Sequence, residues 1–301
     1  MSAIILPYLE KEKTAIQRLK AFEPESEPYY GCYSGGKDSD VIRILLELAG
    51  VKHELVHNLT TVDAPETVQY VKSLKDVRID RPEKTMWQLI EEKKIPPTRL
   101  IRYCCSELKE RGGKGRVKVT GVRWDESKNR SDNQGTVTII GKPKTVQKTG
   151  EELGVNFTST AKGGLVLNDD NDESRRMVEM CYRTTSTMVN PIIDWTDADV
   201  WTFLKYYGCE SNPLYQCGFC RIGCIGCPMA GKHRYAEFRR YPKYKLNYIK
   251  AFDRMLDNLK KDANNNGEIS NIGWQSGEEV FRWWMGENID QLRIDDEWWR
   301  I

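Results

Sequence analysis

The chain has 301 residues, of which 39% are hydrophobic, 30% charged and 10% aromatic, enough apolar material for a sizeable core and too much for a disordered or collagen-like chain. Lys and Arg number 46 against 44 Asp and Glu, a net charge of +2, so bulk charge gives no ground for nucleic-acid or anionic-membrane binding and only a local patch could. No stretch approaches the ~18 apolar residues of a membrane span, Met1–Lys11 lacks the regions of an export signal, and five of the nine cysteines crowd between Cys209 and Cys227; the expectation is a cytoplasmic protein with no membrane contact, whose thiols bind metal or do redox chemistry.

Residues 3–22 carry an apolar stripe through Ile5, Leu9, Ile16 and Leu19 and predict a packing helix, which makes 1–27 an N-terminal segment. From Tyr29 the order is strand, glycine turn, then a helix over 38–49 stopped by Gly50. A strand over 54–61, a helix opening at Pro65, a short strand at 77–79, helices over 85–93 and near 104–111, and a strand over 118–122 follow. This alternation predicts an α/β fold with a doubly wound, mostly parallel sheet over 28–230. The polar stretch 131–172, with strand-like 136–140 and 165–167 at its flanks, is read as an inserted hairpin or mobile flap. Thr196 and Asp199 suit the cap of a short helix over 200–207, and a cysteine-rich loop spans 209–228. The region 231–301 is predicted helical, over 237–263 and 278–287, with the Trp283-Trp284 and Trp298-Trp299 pairs packing its helices.

Ser34, Gly35, Gly36, Lys37, Asp38 and Ser39 lie between the first sheet strand and its helix. Glycines admit close backbone approach, successive N–H groups at a helix start form an anion nest, and Lys37 adds a cation, so a phosphate chain or sulfate is the expected ligand. The spacing is not Gly-x4-Gly-Lys-Ser/Thr, so the loop is not the one used by kinases and GTPases. Cys217, Cys220, Cys224 and Cys227 form Cys-x2-Cys-x3-Cys-x2-Cys. Their short central gap suits a four-iron cluster better than zinc, which stays the alternative.

The Ser34–Ser39 loop resembles the pyrophosphate loop of the adenine-nucleotide alpha-hydrolase superfamily, and four further segments resemble its phosphoadenosine phosphosulfate reductase branch. These are Asp63-Ala64-Pro65-Glu66-Thr67; Arg102-Tyr103-Cys104-Cys105 with Lys109; Gly121-Val122-Arg123 with Glu126, Ser127 and Arg130; and Asn190-Pro191 through Asn212-Pro213-Leu214-Tyr215 to Gly223–Pro228. The resemblance implies binding of ATP, adenylylsulfate or its 3′-phosphorylated form. It makes Lys37 a catalytic cation, Arg123 and Arg130 oxyanion clamps, Gly121, Glu126, Ser127 and Lys109 further nucleotide contacts, and Asp63 and Glu66 ligands for ribose or magnesium. A plainer role for Glu66 is dipole compensation behind Pro65.

In adenylylsulfate-reducing members the cluster ligands map onto Cys104, Cys105, Cys224 and Cys227, which would leave Cys217 and Cys220 for other work; the local quartet would instead leave Cys104 and Cys105 near the nucleotide. Phosphosulfate reductases carry a nucleophilic cysteine on a C-terminal tail, and no cysteine follows Cys227 here. Two expectations result. Either Cys217 or Cys220 is the nucleophile of a reductive phosphosulfate cleavage, or the chain is an ATP-dependent sulfurtransferase that adenylates and thiolates a nucleic acid or small molecule. A non-catalytic nucleotide-binding protein with a structural metal is a third. The partners expected are an adenine nucleotide and an electron or sulfur donor protein. Nucleic acid is a further one, through the basic and aromatic residues of 231–250, although that stretch equally fits a packing helix with a solvated basic face.

Overall fold

The computed structural model describes residues 7–160, 163–266 and 273–287. The chain forms two compact units, each discontinuous in sequence, in place of three consecutive segments: 1–58, 65–80 and 111–222 make the first, and 59–64, 81–110 and 223–301 the second.

The first unit is built on one sheet with strand order β3-β2-β1-β4-β8-β5-β7-β6. Its strands are β1 (Tyr29–Cys32), β2 (His53–Asn58), β3 (Val77–Asp80), β4 (Lys118–Val119), β5 (Val137–Ile140), β6 (Thr158–Ser159), β7 (Leu165–Leu167) and β8 (Ser186–Val189). From β3 through β2, β1 and β4 to β8 every pairing is parallel. β5 then pairs antiparallel with both β8 and β7, and β6 antiparallel with β7. The α/β fold with a mostly parallel sheet therefore holds, and the order reverses at β1, whose neighbours β2 and β4 are reached by crossovers in opposite directions. Ligands of open α/β sheets bind at such a switch point, beyond the strand C-termini.

The helices of this unit are α1 (Pro7–Ala21), α2 (Lys37–Ala49) and α3 (Pro65–Ser73); helix α4 (Met86–Lys93) belongs to the second unit; then come α5 (Lys128–Asn133), α6 (Pro143–Leu153), α7 (Asp172–Cys181) and α8 (Asp197–Tyr206). Helix α2 is stopped as expected by Gly50, in left-handed conformation at φ 67°. The stretch 131–172 is not a separate hairpin. β5 and β7 extend the main sheet, and between them Pro143 at the first turn and a left-handed Gly154 at the end delimit α6, which buries Val146 and Gly150. Its two inward positions gave too weak a stripe to announce a helix. Residues 161 and 162 lie outside the described ones.

In the second unit, α9 (His233–Arg240), α10 (Pro242–Asn266) and α11 (Gly277–Met285) replace the two expected helices, Pro242 starting a new one after Tyr241. Trp284 is 6% exposed among Phe238, Tyr248, Phe252 and Phe281, so this half of the predicted tryptophan packing is present; Trp298 and Trp299 lie outside the described residues. The helix expected near 104–111 is a single π-helical turn, Cys105–Lys109. No helix among the described residues is long and apolar enough to cross a membrane.

Directly behind the loop that starts α2, the fully buried Asp40 accepts hydrogen bonds from Tyr33 and, at 2.9 Å, from Tyr70. Burial outweighs these bonds and pushes the carboxyl up to about 6. The folded state thus holds this proton more tightly than the unfolded chain, so the contribution is intact below the ordinary carboxylate range and is lost as pH rises through about 6. Asp40→Asn should flatten the fall in stability between pH 3 and 7 by roughly 3 kcal/mol relative to wild type, as read by denaturant unfolding at each pH. Parallel pH profiles for the two proteins would contradict it.

Candidate nucleotide site and thiol groups

The loop between β1 and α2 places Gly35 at φ +77°, where an L side chain is strained and a Cβ would lie 2.9 Å from Thr67 Cγ2. Gly36 caps α2, and the Ser39 hydroxyl accepts from its N–H at 3.1 Å and donates to its carbonyl at 2.7 Å. The loop after β4 meets the same helix start. A Cβ on Gly121 would lie 2.9 Å from the backbone carbon and oxygen of Asp38, which only glycine allows. Arg123, 1% exposed, donates from Nε to Asp38 and from one terminal nitrogen to Asp197, both at 2.7 Å, and from the other to the Trp195 carbonyl at 3.2 Å. Lys37 Nζ is 3.1 Å from Asp197 and 3.6 Å from Asp38. Desolvation would raise the Asp197 pKa, but hydrogen bonds from Lys37 and Arg123 hold it below the usual range.

The structure thus brings Ser34–Ser39, Gly121 and Arg123 together, with Arg123 engaged by carboxylates and the Trp195 carbonyl. Glu126 accepts from the Arg123 N–H at 3.2 Å and pairs with Arg130, while the Ser127 hydroxyl caps α5. Arg130 has its pKa lowered by desolvation and by the positive charge of Arg221, which makes these two guanidiniums a cationic spot on the same unit. Glu66 is half-buried in the first turn of α3.

Three residues absent from the sequence-based set complete the loop's surroundings: Asp197, Asn212 and Tyr215. Asn212, fully buried, donates from one nitrogen to the Gly35 carbonyl and to Thr67 Oγ1, each at 3.0 Å. The 3-10 turn Pro213–Tyr215 follows, and the Tyr215 hydroxyl accepts the Lys37 backbone N–H at 2.8 Å, with its ring set edge-on to Trp201. A Cβ on Gly36 would lie 3.6 Å from Ile222 Cβ. The signal for Asn212 and Tyr215 was present in Asn212-Pro213-Leu214-Tyr215, a polar residue and a phenol spaced by one 3-10 turn just before the cysteines. Between Tyr215 and Ile222 lie Cys217 and Cys220, both exposed.

The second unit holds Cys104, Cys105, Cys224 and Cys227, all partly buried, together with Lys109 and Asp63. Residues 62 and 63 pair with the chain at 224 and 225 through an Asp63–Cys224 bridge and the Ile225 N–H to the Val62 carbonyl at 2.8 Å. The Asp63 carboxylate accepts from the Thr60 N–H at 2.7 Å, and Cys224 Sγ lies 3.4 Å from Thr60 Oγ1. The hydrogen bond from Cys104 lowers the Cys105 pKa against desolvation, aided by Arg102, whose guanidinium is 3.2 Å from the sulfur. The Cys104 pKa is raised by that same bond, by burial and by the charges of Cys105, Cys224 and Cys227. Burial pushes the Cys224 thiol up to about 11. Lys109 has its pKa raised chiefly by Cys224, against desolvation, with Asp63, Cys227 and Cys105 adding to it. The four sulfurs therefore act on one another electrostatically beside two cations, and an all-thiol donor set has the chemistry for iron–sulfur or zinc. Among the described residues no three His, Cys, Asp or Glu side chains stand in metal-holding geometry.

In the stretch 231–250, Phe238, Tyr241 and Tyr248 are buried and Arg234 packs over Trp284, while Lys232, Arg239, Arg240, Lys243 and Lys250 are exposed.

Gly121→Ala should push the Arg123 loop off the start of α2, costing about 1–3 kcal/mol and at least one order of magnitude in affinity for an adenine nucleotide. Paired thermal unfolding and calorimetric titration would read both, and wild-type values in the variant would show that the close approach is unimportant.

An uncharacterized protein of Methanocaldococcus jannaschii is 27% identical over 284 residues, 89% of this chain and 59% of that protein, so the chain spans little more than half of that relative. A phosphoadenosine 5′-phosphosulfate reductase of Xylella fastidiosa is 40% identical over 108 residues, 35% of this chain and 41% of that one. Among solved structures, the FMN adenylyltransferase of Candida glabrata in complex with FAD and inorganic pyrophosphate is similar at 16% identity and a TM-score of 0.40, over 73% of this chain and 63% of that one. The family model described as phosphoadenosine phosphosulfate reductase domain matches residues 29–230, the span that contains the whole sheet and its phosphate loop, and the chain belongs to that family.

Proposed function

We propose that the chain reductively cleaves an adenylyl phosphosulfate, either adenylylsulfate or its 3′-phosphorylated form, with the phosphate on the Ser34–Ser39 loop and a thiol of Cys217 or Cys220 as nucleophile. The observation that carries this reading is the path of 212–222. The segment hydrogen-bonds the loop through Asn212 and Tyr215 at one end, Ile222 at the other lies 3.6 Å from where a Cβ on Gly36 would stand, and the two exposed cysteines lie between. Cys217 is two residues from the Tyr215 contact and Cys220 two from Ile222, a chain reach of about 7 Å. A thiol so tethered attacks with much of its positional entropy already lost.

The roles follow from the chemistry. The N–H groups at the start of α2 and the Lys37 ammonium bind the phosphate oxygens and stabilise charge building on the leaving phosphate. Arg130, paired with Glu126 and within electrostatic reach of Arg221, would with it supply a guanidinium pair for the sulfate or the 3′-phosphate. Arg123 positions Asp38 and Asp197 and through them Lys37. A dithiol protein of the reducing cytoplasm would regenerate the thiols.

We assign Cys104, Cys105, Cys224 and Cys227 to a four-iron cluster, with zinc as the alternative, because these are the four thiols that share one electrostatic environment. When bound, such a cluster would supply redox capacity and local positive charge. Anaerobically purified protein should contain about four irons with a broad band near 400 nm. Iron should be retained in Cys217→Ser/Cys220→Ser and lost in Cys224→Ser/Cys227→Ser; loss of iron in the first variant would instead favour the local Cys217–Cys227 quartet, and one zinc without colour would replace the cluster.

The reaction is tested by incubating the protein with adenylylsulfate, its 3′-phosphate or ATP, in the presence of a dithiol. Sulfite and AMP, or its 3′-phosphorylated counterpart, should form from the phosphosulfates, and Cys217→Ser/Cys220→Ser should lose at least about 100-fold in rate while binding nucleotide as before. Sulfite release surviving in that variant, or AMP and pyrophosphate formed only from ATP, would overturn the assignment; the latter outcome would mark a sulfurtransferase.

A further inference from the structure

Cys217 and Cys220 share more than a tether. The 3-10 turn Pro213–Tyr215 closes with the Phe219 N–H on the Leu214 carbonyl at 3.1 Å and the Gly218 N–H on the Tyr215 carbonyl at 3.2 Å, and Gly218 takes the left-handed conformation at φ +85°. This is a Schellman closure, with Cys217 as its last residue and Gly218 as the glycine that reverses the chain. Cys217 is thereby fixed to the same turn as Tyr215. Cys220 follows two residues past Gly218, three positions from Cys217, the spacing at which two thiols can exchange a disulfide within one chain. Both are exposed, and no disulfide joins any of the nine cysteines.

We infer that Cys217 and Cys220 are an internal redox couple, one thiol attacking the sulfate and the other resolving the adduct, so that sulfite leaves before any external reductant arrives. The inference rests on the proposed phosphosulfate cleavage. In the first step the thiolate of one cysteine bonds to the sulfate sulfur, the bond from sulfur to the bridging phosphate oxygen breaks, and the nucleotide leaves with that electron pair as a phosphate. The product on the protein is an S-sulfonate. In the second step the other thiolate attacks the cysteine sulfur of this adduct; the sulfur–sulfur bond breaks and sulfite leaves with its electron pair, while a Cys217–Cys220 disulfide forms. Two thiols lose two protons and two electrons, and sulfate sulfur gains the two electrons to become sulfite. A dithiol partner then has a protein disulfide, not an S-sulfonate, as its substrate.

A single-turnover experiment separates this from the reading beneath it. Reduced protein is freed of reductant without oxygen and mixed with one equivalent of adenylylsulfate; AMP, sulfite and intact mass are then followed. The internal couple predicts about one sulfite and one AMP per chain and a mass lower by about 2 Da, with two fewer titratable thiols. Of the single variants Cys217→Ser and Cys220→Ser, the one keeping the nucleophile should release AMP, gain about 80 Da and hold its sulfite until an external thiol is added, and the other should do neither. Because both positions are exposed, neither substitution should disturb folding, which the melting temperature checks. If wild type itself accumulates the heavier adduct and releases sulfite only on addition of thiol, the internal couple is wrong while the cleavage stands. If wild type forms neither AMP nor adduct, both are wrong.

Discussion

A guanidinium buried to 1% exposure has to be paired, and Arg123 is paired with two carboxylates that belong to different elements, Asp38 at the start of α2 and Asp197 at the start of α8. Leaving such a charge without its partners would cost several kcal/mol, so the loop after β4 and the starts of two helices are locked to one another. Gly121 makes the lock possible by removing the only side-chain carbon that would separate the loop from Asp38. The same carboxylates hold Lys37 in place. The phosphate loop is thereby set at the point where the strand order reverses, which is where the fold offers a crevice.

The loop's other side is held by polar contacts from a single segment. Asn212 reads the Gly35 carbonyl and Thr67, and Tyr215 takes the Lys37 N–H. A phenol there satisfies a helix-start donor that would otherwise be orphaned, and it can yield that donor to a phosphate oxygen. Because the segment then turns back through Gly218, Cys217 and Cys220 are among the residues it exposes after Tyr215. The proposed chemistry is thus a consequence of where the loop's own supports lead.

Much of this was legible in the sequence, for identifiable reasons. Alternating strand and helix patterns gave the parallel sheet, and Ser34–Ser39 lay at a strand-to-helix junction, where local order alone specifies the geometry. Helix α6 leaves little mark in the sequence because Val146 and Gly150 are its only buried positions, and the joining of β5 and β7 to the main sheet depends on pairing partners 26 to 52 residues away. Tyr215 and Asn212 were visible as part of a motif but not as loop contacts, since their partners, Lys37 and Gly35, are separated from them by 178 and 177 positions. In the sequence Arg123 resembles an anion clamp, because nothing local reveals that Asp197, 74 positions on, reaches it.

The proposed cleavage requires the phosphate loop and the Cys217–Cys220 turn to address the same bound molecule. An anaerobic crystal structure of the Cys217→Ser/Cys220→Ser protein with adenylylsulfate tests it directly. The phosphate should lie on the N–H groups at the start of α2, with the sulfate sulfur about 3.5 Å from one of the two serine hydroxyls, the spacing of groups poised to react. A nucleotide bound elsewhere, or one whose sulfate points away from both serines, would contradict it.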